Sequence, residues 1–346
     1  MAEITIKDVA RECGVGVSTV SRALNDNPDI NHKTKEKILQ VVQRLGYIPN
    51  NSARNLKRVE AKSIAILVKG ITNPFFTSMI EVIEEKIEKM GYSMVLHHVE
   101  SKENEVEVAL ELIKEKRLQG IIFLGGEFNQ SKERLALLSV PYIFSTAGIK
   151  PKENEQHTYS ILGVDDYAEA KKVTEFLIGL GHKDIAIICT DLSDESVGTL
   201  RLNGYKDALS EAKIKVKEEL ICQLPNDETH DVYRMEHGYN AAKKLIDSGV
   251  KFTALFAISD TLAIGASRAL REAGIKVPED VSVIGFDGID LGDFVAPRLT
   301  SLKQPTDEIA AASIDLLFDL IQEKSENKHI VFEGSIIERE STGKRK

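Results

Sequence analysis

The chain has 346 residues, of which 42% are hydrophobic and 29% charged, with three cysteines and eight histidines. Its length fits about two domains, and its composition excludes collagen-like, low-complexity and wholly disordered proteins. No apolar run reaches the roughly 18 residues of a membrane-spanning helix, and no apolar signal core opens the chain. We therefore expect a cytoplasmic protein with reduced thiols and no membrane partner.

The net charge of −9 hides an asymmetry along the chain. Residues 1–60 contain ten Lys and Arg against seven Asp and Glu, whereas the remaining residues contain 35 against 47. A mildly basic head on an acidic body is a reason to look for a nucleic-acid-binding surface in the head. Solvated helices without such a partner carry similar charge, so this asymmetry decides nothing by itself.

The head predicts three short helices, each with one apolar face. Thr5 and Asp8 have the spacing of a capping box at the start of the first helix, and Gly14 ends it. The second helix is predicted over 17–25 and the third over 32–45. A helix, a tight glycine turn and a second helix predict a helix-turn-helix.

The outer face of the second helix is slim and polar, with Ser18, Thr19, Ser21 and Arg22. A helix of this kind fits the major groove of DNA, which is about 12 Å wide. The alternative is a small three-helix bundle that contacts another protein.

Residues 50–58 predict a short helix over 53–57 with an apolar side chain, Leu56, on an otherwise polar segment. Leu56 either packs on the nearest domain or inserts as a wedge into the minor groove. A helix this short is marginal in water, so we expect it to order only on DNA.

Beyond residue 60, strands and helices alternate, which predicts two doubly wound units with parallel sheets. The predicted strands cover 63–68, 94–99, 120–124, 142–145, 184–190, 220–223, 254–259, 281–286 and 300–304. The predicted helices cover 74–90, 102–116, 134–138, 167–180, 199–212, 238–248, 261–273 and 307–322. Because ligands bind at the carboxyl ends of parallel strands, the cleft between the two units is the expected ligand site.

The segments TIKDVARECGVGVSTVSRALN, LGYIPN and NSARNLK resemble the head of the lactose-repressor (LacI/GalR) family of bacterial regulators, over residues 4–58. The remainder resembles the type I periplasmic-binding-protein core, with three crossings between subdomains. The fold class implied is α/β: a three-helix helix-turn-helix head plus a hinge helix, then two doubly wound parallel-sheet subdomains. The expected domains are a head (1–49), a hinge helix and linker (50–60) and a core (61–346), divided into an N-subdomain (61–162, 304–326) and a C-subdomain (163–303, 327–346).

The resemblance implies a set of DNA contacts. The positions that read base edges in the family are Val17, Ser18 and Arg22 here, and the positions that hold phosphates are Thr5, Thr19 and Ser21. Gly16 departs from the small hydroxyl residue usual at its position. The hinge adds Asn51, Ala53, Arg54, Leu56 and Lys57.

The resemblance also implies effector contacts in the cleft. Arg201 and Asp287 match family effector positions, where a guanidinium fork and a carboxylate can bind vicinal hydroxyls; the alternative is a purely structural ion pair. Phe75 or Phe76, which follow the first strand, either stack on the ligand or pack in the core. The weaker matches are Thr146, Tyr233, Ser259 and Gln304.

No phosphate loop, Gly-x-Ser-x-Gly elbow or His-Glu-x-x-His motif is present, so we expect no enzyme, no cofactor and no metal. We predict a transcription regulator, a repressor, that binds a palindromic operator as a homodimer, with a tetramer possible. Its predicted effector is a sugar or a related metabolite. The alternative is a catabolite-control-type regulator that binds a phosphorylated carrier protein, although segment 290–297 lacks the basic residues of that relative.

Overall fold

The computed structural model describes residues 4–24, 30–47, 62–100, 102–126, 131–148, 158–190, 196–224 and 232–345. The chain forms two compact units, Met1–Ala61 and Lys62–Lys346. The predicted hinge residues Asn51, Ala53, Arg54, Leu56 and Lys57 lie outside the described residues.

The first unit contains the three predicted helices, α1 (Ile6–Cys13), α2 (Val17–Leu24) and α3 (His32–Leu45). The Thr5 hydroxyl and amide both donate to the Asp8 carboxylate, at 2.6 and 3.0 Å, which confirms the predicted capping-box pair. Gly14 has a φ of 67°, a left-handed conformation that ends α1 and that glycine adopts without strain. The apolar faces meet in one small core, which includes Val9, Val20 and Ile38.

The second unit contains twelve strands and eight helices among its described residues. The strands are β1 (Ser63–Lys69), β2 (Ser93–Val99), β3 (Leu118–Leu124), β4 (Tyr142–Ser145), β5 (Ser160–Val164), β6 (Ile185–Cys189), β7 (Ile221–Gln223), β8 (Ala254–Ala257), β9 (Ser282–Asp287), β10 (Thr300–Lys303), β11 (His329–Phe332) and β12 (Ser335–Ile337). The helices are α4 (Phe75–Lys89), α5 (Glu105–Glu115), α6 (Lys132–Leu135), α7 (Asp166–Gly179), α8 (Val197–Glu211), α9 (Met235–Asp247), α10 (Asp260–Glu272) and α11 (Thr306–Ile321).

These strands form two six-stranded sheets with the same winding. The first has the order β11-β5-β4-β3-β1-β2 and the second β12-β10-β9-β8-β6-β7. All pairings are parallel except that of β10 with β12. The central strands are buried along nearly their whole length, as expected for a parallel sheet covered on both faces. The predicted doubly wound core is confirmed.

The subdomain boundaries differ from the prediction in two respects, of which the first is that the predicted boundary after residue 162 falls inside β5 of the first sheet. The segment 327–346 was expected in the C-subdomain, but β11 pairs with β5 in the first sheet, with Ile330 opposite Leu162. The chain therefore crosses between the sheets after β5, after β10 and between β11 and β12. Neither β5, β11 nor β12 was predicted, because each is short and stands next to polar residues.

Candidate functional site

The carboxyl ends of strands from both sheets bring a polar cluster together inside the second unit. Asp287 is the last residue of β9, Asp166 follows β5, and Arg201 lies in the first turns of α8. Arg201, Asp166 and Asp287 are all at most 5% exposed. Charged groups so deeply buried require partners, and the cluster supplies them.

Arg201 is held by four interactions. Its Nε and Nη2 donate to one Asp166 oxygen at 2.9 and 2.8 Å, and its Nη1 donates to the carbonyl of Ile258. The same Nη1 lies 3.8 Å from the Asp287 carboxylate. The guanidinium also stacks over the Phe286 ring, 3.6 Å from its centre. Asp287 is therefore the more weakly bound of the two acids.

Asp287 has an unusual backbone conformation and polar neighbours that follow strands of both sheets. Its φ is 111°, a region that L-residues rarely adopt and that often marks a functional site. The amide of Gln304 donates to its carboxylate at 2.9 Å, and the Asn73 side chain donates to it as well. Burial raises the pKa of Asp287 to about 6, although Arg201 opposes that shift.

Asn73 links this cluster to the aromatic pair that the sequence suggested. Its side-chain oxygen accepts a hydrogen bond from the Phe75 amide at 3.1 Å. Phe75 and Phe76 are both buried and meet edge to face, with their ring centres 5.1 Å apart. Phe76 lies against Gly125, where any side chain would collide with the ring, so Phe76 is a packing residue. Phe75 also lines a cavity to which Asp287 of the cluster contributes.

The other predicted effector residues differ in what they offer. Thr146 directly follows β4 with a φ of 61°, and its hydroxyl donates to the Ser145 carbonyl. Tyr233 is half-buried, and burial raises its pKa to about 12. Ser259 is completely buried and caps α10, accepting from the Leu262 amide at 3.3 Å. Its hydroxyl accepts this capping hydrogen bond, and its contact with an effector stays a prediction.

Three site residues were missed from the sequence: Asp166, Asn73 and Asp260. Asp165, which precedes Asp166, caps α7 by accepting a hydrogen bond from the Ala168 amide at 3.0 Å. The position of Asp166 directly after a strand was the only signal that could have revealed its pairing with Arg201. Asp260, completely buried, carried the same kind of signal, because it directly follows the strand predicted over 254–259.

A cavity of about 640 Å³ opens beside Asp287, next to the crossings between the sheets. Phe75 and Ser78 of α4, Ile289 after β9 and Thr306 of α11 all line it, so both subdomains contribute. Among the described lining residues, Lys303 is the cation. The carboxylates of the lining are Glu81, Asp287, Asp290, Asp307, Glu308 and Glu333. A site with this lining favours neutral polar ligands over anions.

The head presents the predicted polar face of α2. Val17, Ser18 and Arg22 are exposed, while Thr19 and Ser21 are half-buried. The α2 residues Val20 and Ala23 face the small core instead. The Gly16 carbonyl accepts from the Val20 amide at 3.2 Å, so α2 begins without a side-chain cap at that position. Thr5 is exposed at the start of α1.

Comparison with known proteins identifies both the helix-turn-helix head and the two-sheet core. Residues 5–50 match the model of bacterial regulatory proteins of the lacI family, and residues 174–342 match a periplasmic binding protein-like domain. The transcriptional regulator MalR of Clostridium butyricum is 40% identical over 340 residues, which cover 98% of this chain and 99% of MalR. This chain belongs to the LacI family of bacterial regulatory proteins.

Solved structures agree with this assignment over the whole length of the LacI-family chain. The lac repressor dimer bound to operator and the anti-inducer ONPF has a TM-score of 0.72 and 25% identity, with 99% of this chain and 100% of that one covered. The regulator CelR in complex with cellobiose has a TM-score of 0.69 and 27% identity, with 98% and 100% covered.

The LacI-family protein is a DNA-binding transcription regulator and not an enzyme. Its helix-turn-helix head and its two parallel-sheet subdomains are those of the family. Within the described ranges, no helix is both long and apolar enough to cross a membrane. The same ranges contain no group of three His, Cys, Asp or Glu side chains arranged to hold a metal ion.

Proposed function

We propose that this protein is a repressor that binds a palindromic operator as a homodimer and responds to a small hydroxyl-rich effector in the cleft between its subdomains. The observation that carries the effector site is the buried cluster of Arg201, Asp166 and Asp287, to which Asn73 of the first sheet also contributes. A ligand in contact with Asp287 and Phe75 bridges the two subdomains and so favours one arrangement of them.

The chemistry of the cluster supports a neutral sugar as the effector class. Two carboxylates face one guanidinium, and Gln304 adds an amide that can bind a hydroxyl. Carboxylates accept hydrogen bonds from hydroxyls but repel phosphate, which the acidic cavity beside Asp287 also disfavours. CelR, a relative of the same fold, was solved with the neutral disaccharide cellobiose.

The experiment is a calorimetric titration of the full chain with ribose, maltose and cellobiose and with the corresponding sugar phosphates. We expect one neutral sugar to bind with a stoichiometry of one per chain and to change operator affinity in a fluorescence-anisotropy assay. Arg201→Ala should lose this binding, because Arg201 is the cation that pairs with Asp166 and lies 3.8 Å from Asp287 in the buried cluster. Tight binding of a sugar phosphate instead would overturn the neutral effector.

We further infer that the head reads DNA through the exposed face of α2, with Val17, Ser18 and Arg22 on base edges and Thr5, Thr19 and Ser21 at phosphates. Two heads related by a dimer axis fit an inverted repeat. Residues 50–58 follow, with Asn51, Ala53, Arg54 and Lys57 near the backbone and Leu56 as a minor-groove wedge. Effector binding then changes operator affinity through the spacing between the core of one protomer and the core of its partner in the dimer.

Leu56→Ala tests this switch. A wedge that unstacks one base step bends the DNA and permits further contacts, so its loss should weaken operator binding and reduce bending. We expect operator affinity to fall about 5- to 150-fold, the range of a coupling of about 1–3 kcal/mol. Circular-permutation gel shifts measure the bend, and calorimetry should find effector binding unchanged. Parental bending by the variant would exclude the wedge.

The dimer proposal is supported by an apolar surface on the second subdomain. Phe294 is 83% exposed, which is unusual for such a large apolar side chain. It borders a groove of about 770 Å³ lined by Tyr239, Ile264, Val295 and Leu299. We propose that a second copy of the chain covers this surface; whether dimers pair further into tetramers is decided by sedimentation.

The alternative, control by a phosphorylated carrier protein, has weaker support. The loop after β9 carries Asp290 and Asp293, and the next cation, Arg298, is paired with Glu340 at 3.0 Å. A phosphate group would meet repulsion here. Binding assays with phosphorylated and unphosphorylated carrier protein separate the two functions.

A further inference from the structure

Asp260 is a completely buried acid that the predicted effector site does not include. It is the first residue of α10 and lies against β9, where Gly285 makes room for it. A Cβ atom at Gly285 would stand only 2.1 Å from the Asp260 Oδ1 atom. The fold therefore reserves space for this carboxyl group, which is costly to bury without a role.

The carboxyl group joins three separate segments. The Ser301 hydroxyl of β10 forms a hydrogen bond with Oδ1 at 2.5 Å, and the Ile289 amide, in the turn after β9, donates to Oδ2 at 2.7 Å. The Gly288 amide donates to the Ser301 hydroxyl at 3.2 Å, which closes the network. The start of α10, the turn after β9 and strand β10 are thereby held in one register.

The two segments bound by Asp260, the turn after β9 and strand β10, both adjoin Asp287 or a residue that binds it. The turn that contains Gly288 and Ile289 begins directly after Asp287, whose φ is 111°, and is bound to Asp260 through the Ile289 amide. Strand β10 leads into Gln304, whose amide donates to the Asp287 carboxylate and whose backbone amide donates to the Asp287 carbonyl at 3.2 Å. A shift of either segment would move Asp287 relative to Arg201.

We propose that Asp260 is a positioning residue of the effector site, which fixes Asp287 and the second crossing between the subdomains in the geometry that binds effector. This inference rests on the proposed effector function of the cleft. Asp260 itself has no exposed surface and touches no ligand; it acts through Asp287 and β10.

The protonation state of Asp260 gives this role a distinctive signature. Burial, together with the negative charge of Asp287, raises the pKa of Asp260 to about 8, so the group is a neutral acid at pH 7. Arg201 and Asp166 lie beyond Asp287, and β10 contributes the Ser301 hydroxyl, while its Lys303 is exposed. The neutral acid can donate from Oδ1 to Ser301, whose own proton can turn to the Leu302 carbonyl at 3.4 Å.

An asparagine reproduces that neutral arrangement, because its amide can donate to Ser301 while its oxygen accepts from Ile289. Asp260→Asn should therefore keep the effector affinity of the parent within about threefold at pH 7, whereas Asp260→Ala should lose tenfold or more, as buried donors lose their partner. The probe is the sugar of the ribose, maltose and cellobiose panel that binds the parent chain, measured by calorimetry. Asp319→Asn is the matched control, because it makes the same change at an exposed acid of α11 that does not line the cavity.

The pH dependence of effector affinity distinguishes a positioning role of Asp260 from a general loss of protein stability. Above pH 8 the ionised Asp260 would stand beside Asp287, so parental affinity should fall by up to tenfold per pH unit, the limit for one proton. The affinity of Asp260→Asn should remain flat from pH 7 to pH 9, and the affinity of Asp319→Asn should follow that of the parent. An Asn variant as weak as the Ala variant, or one that keeps the alkaline decline, would overturn the proposal.

Two further measurements cover the remaining outcomes. If Asp260→Ala does not fold, Ser301→Ala removes one of the same ties and should weaken binding several-fold with unchanged operator binding. If no sugar of the panel binds the parent, the proposed effector class fails while hydrogen exchange still decides the inference. The peptide 287–291 should then exchange faster in Asp260→Ala or Ser301→Ala and at the parental rate in Asp260→Asn; equal exchange in all variants contradicts the role.

Discussion

At the scale of single residues, the Arg201 guanidinium binds two carboxylates with unequal strength. Asp166 receives two short hydrogen bonds, whereas Asp287 lies at 3.8 Å. Asp166 therefore neutralises and orients Arg201, and Asp287 keeps the capacity to accept hydrogen bonds from a ligand. The raised pKa of Asp287, about 6, reflects its burial and the incomplete pairing.

This arrangement makes effector binding sensitive to acid. Because the pKa of Asp287 is raised to about 6, the carboxyl group is ionised at pH 7 and protonated as pH falls to 5. A hydroxyl donates more strongly to the ionised form, so affinity should drop by up to about tenfold per pH unit below 6. Asp287→Asn should lower affinity about 10- to 100-fold at pH 7 and abolish this dependence. Calorimetry from pH 5 to pH 8 measures both effects.

Glu308→Gln is the control for that series, because it removes an exposed carboxylate from the same cavity. Its affinity should follow the parental pH curve. A parental pH dependence in Asp287→Asn would assign the titration to another group.

Arg22 tests the head at the same scale. It is exposed on the face of α2 opposite Val20 and Ala23, which are buried in the small core. A guanidinium that binds a guanine edge contributes about 1–3 kcal/mol of discrimination, so Arg22→Ala should relax one position in each half-site. Selection from randomised operators measures the preference. Lys33→Ala, at the exposed start of α3, should leave the preference unaltered; the same preference in Arg22→Ala would exclude α2 as the recognition helix.

At the scale of elements, the third crossing between the sheets is fastened to α7. Glu169, 4% exposed, accepts the Gly334 amide at 2.9 Å and pairs with Lys172 at 2.8 Å. Lys172 also donates to the Gly334 carbonyl at 3.1 Å. The chain is thus held by α7 at the point where it passes from β11 to β12.

Lys172→Ala should destabilise the core because it leaves the buried Glu169 carboxylate without its cation. Breaking a buried pair costs about 3–5 kcal/mol, but Lys172 is about one third exposed, so we expect about 1–2 kcal/mol. Urea unfolding measures the difference. The neighbouring Lys171→Ala removes a surface pair with Glu211 and should cost under about 1 kcal/mol. Equal losses in the two variants would contradict a fastened crossing.

At the scale of the whole molecule, the exposed Phe294 and the groove beside it are the strongest sign of self-association among the described residues. A repressor that reads an inverted repeat needs two heads, and its operator affinity therefore depends on the dimer.

Phe294→Glu should convert the dimer into a monomer at micromolar concentration. The change removes up to about 3 kcal/mol of apolar burial per copy and places a charge in the interface. Sedimentation velocity measures the mass, and operator affinity should fall with it. Leu137→Glu introduces the same charge at an apolar side chain that is 62% exposed elsewhere, and it should remain dimeric. A dimeric Phe294→Glu variant would move the interface to another surface.

Local patterns in the sequence determined much of this protein. The Thr5–Asp8 pair, the glycine at position 14 and the apolar spacing of the head predicted α1, α2 and α3, because caps and helical periodicity depend on neighbours a few residues apart. The buried strand runs likewise predicted the two parallel sheets. Arg201 and Asp287 were selected from strand and helix ends together with the family resemblance, and their role as effector contacts stays a prediction.

The tertiary structure alone decided the pairings between distant segments. β11 joins β5 across more than 160 residues, which no local pattern encodes. Asp166 reaches Arg201, and Asp260 reaches Ile289 and Ser301, because sheet winding brings their strand ends to one edge. The structure also shows that the Ser259 hydroxyl caps α10, a role that the family resemblance did not indicate. Interactions between residues close in sequence determine which helices and strands form. The packing of the sheets determines which polar groups from distant segments come into contact.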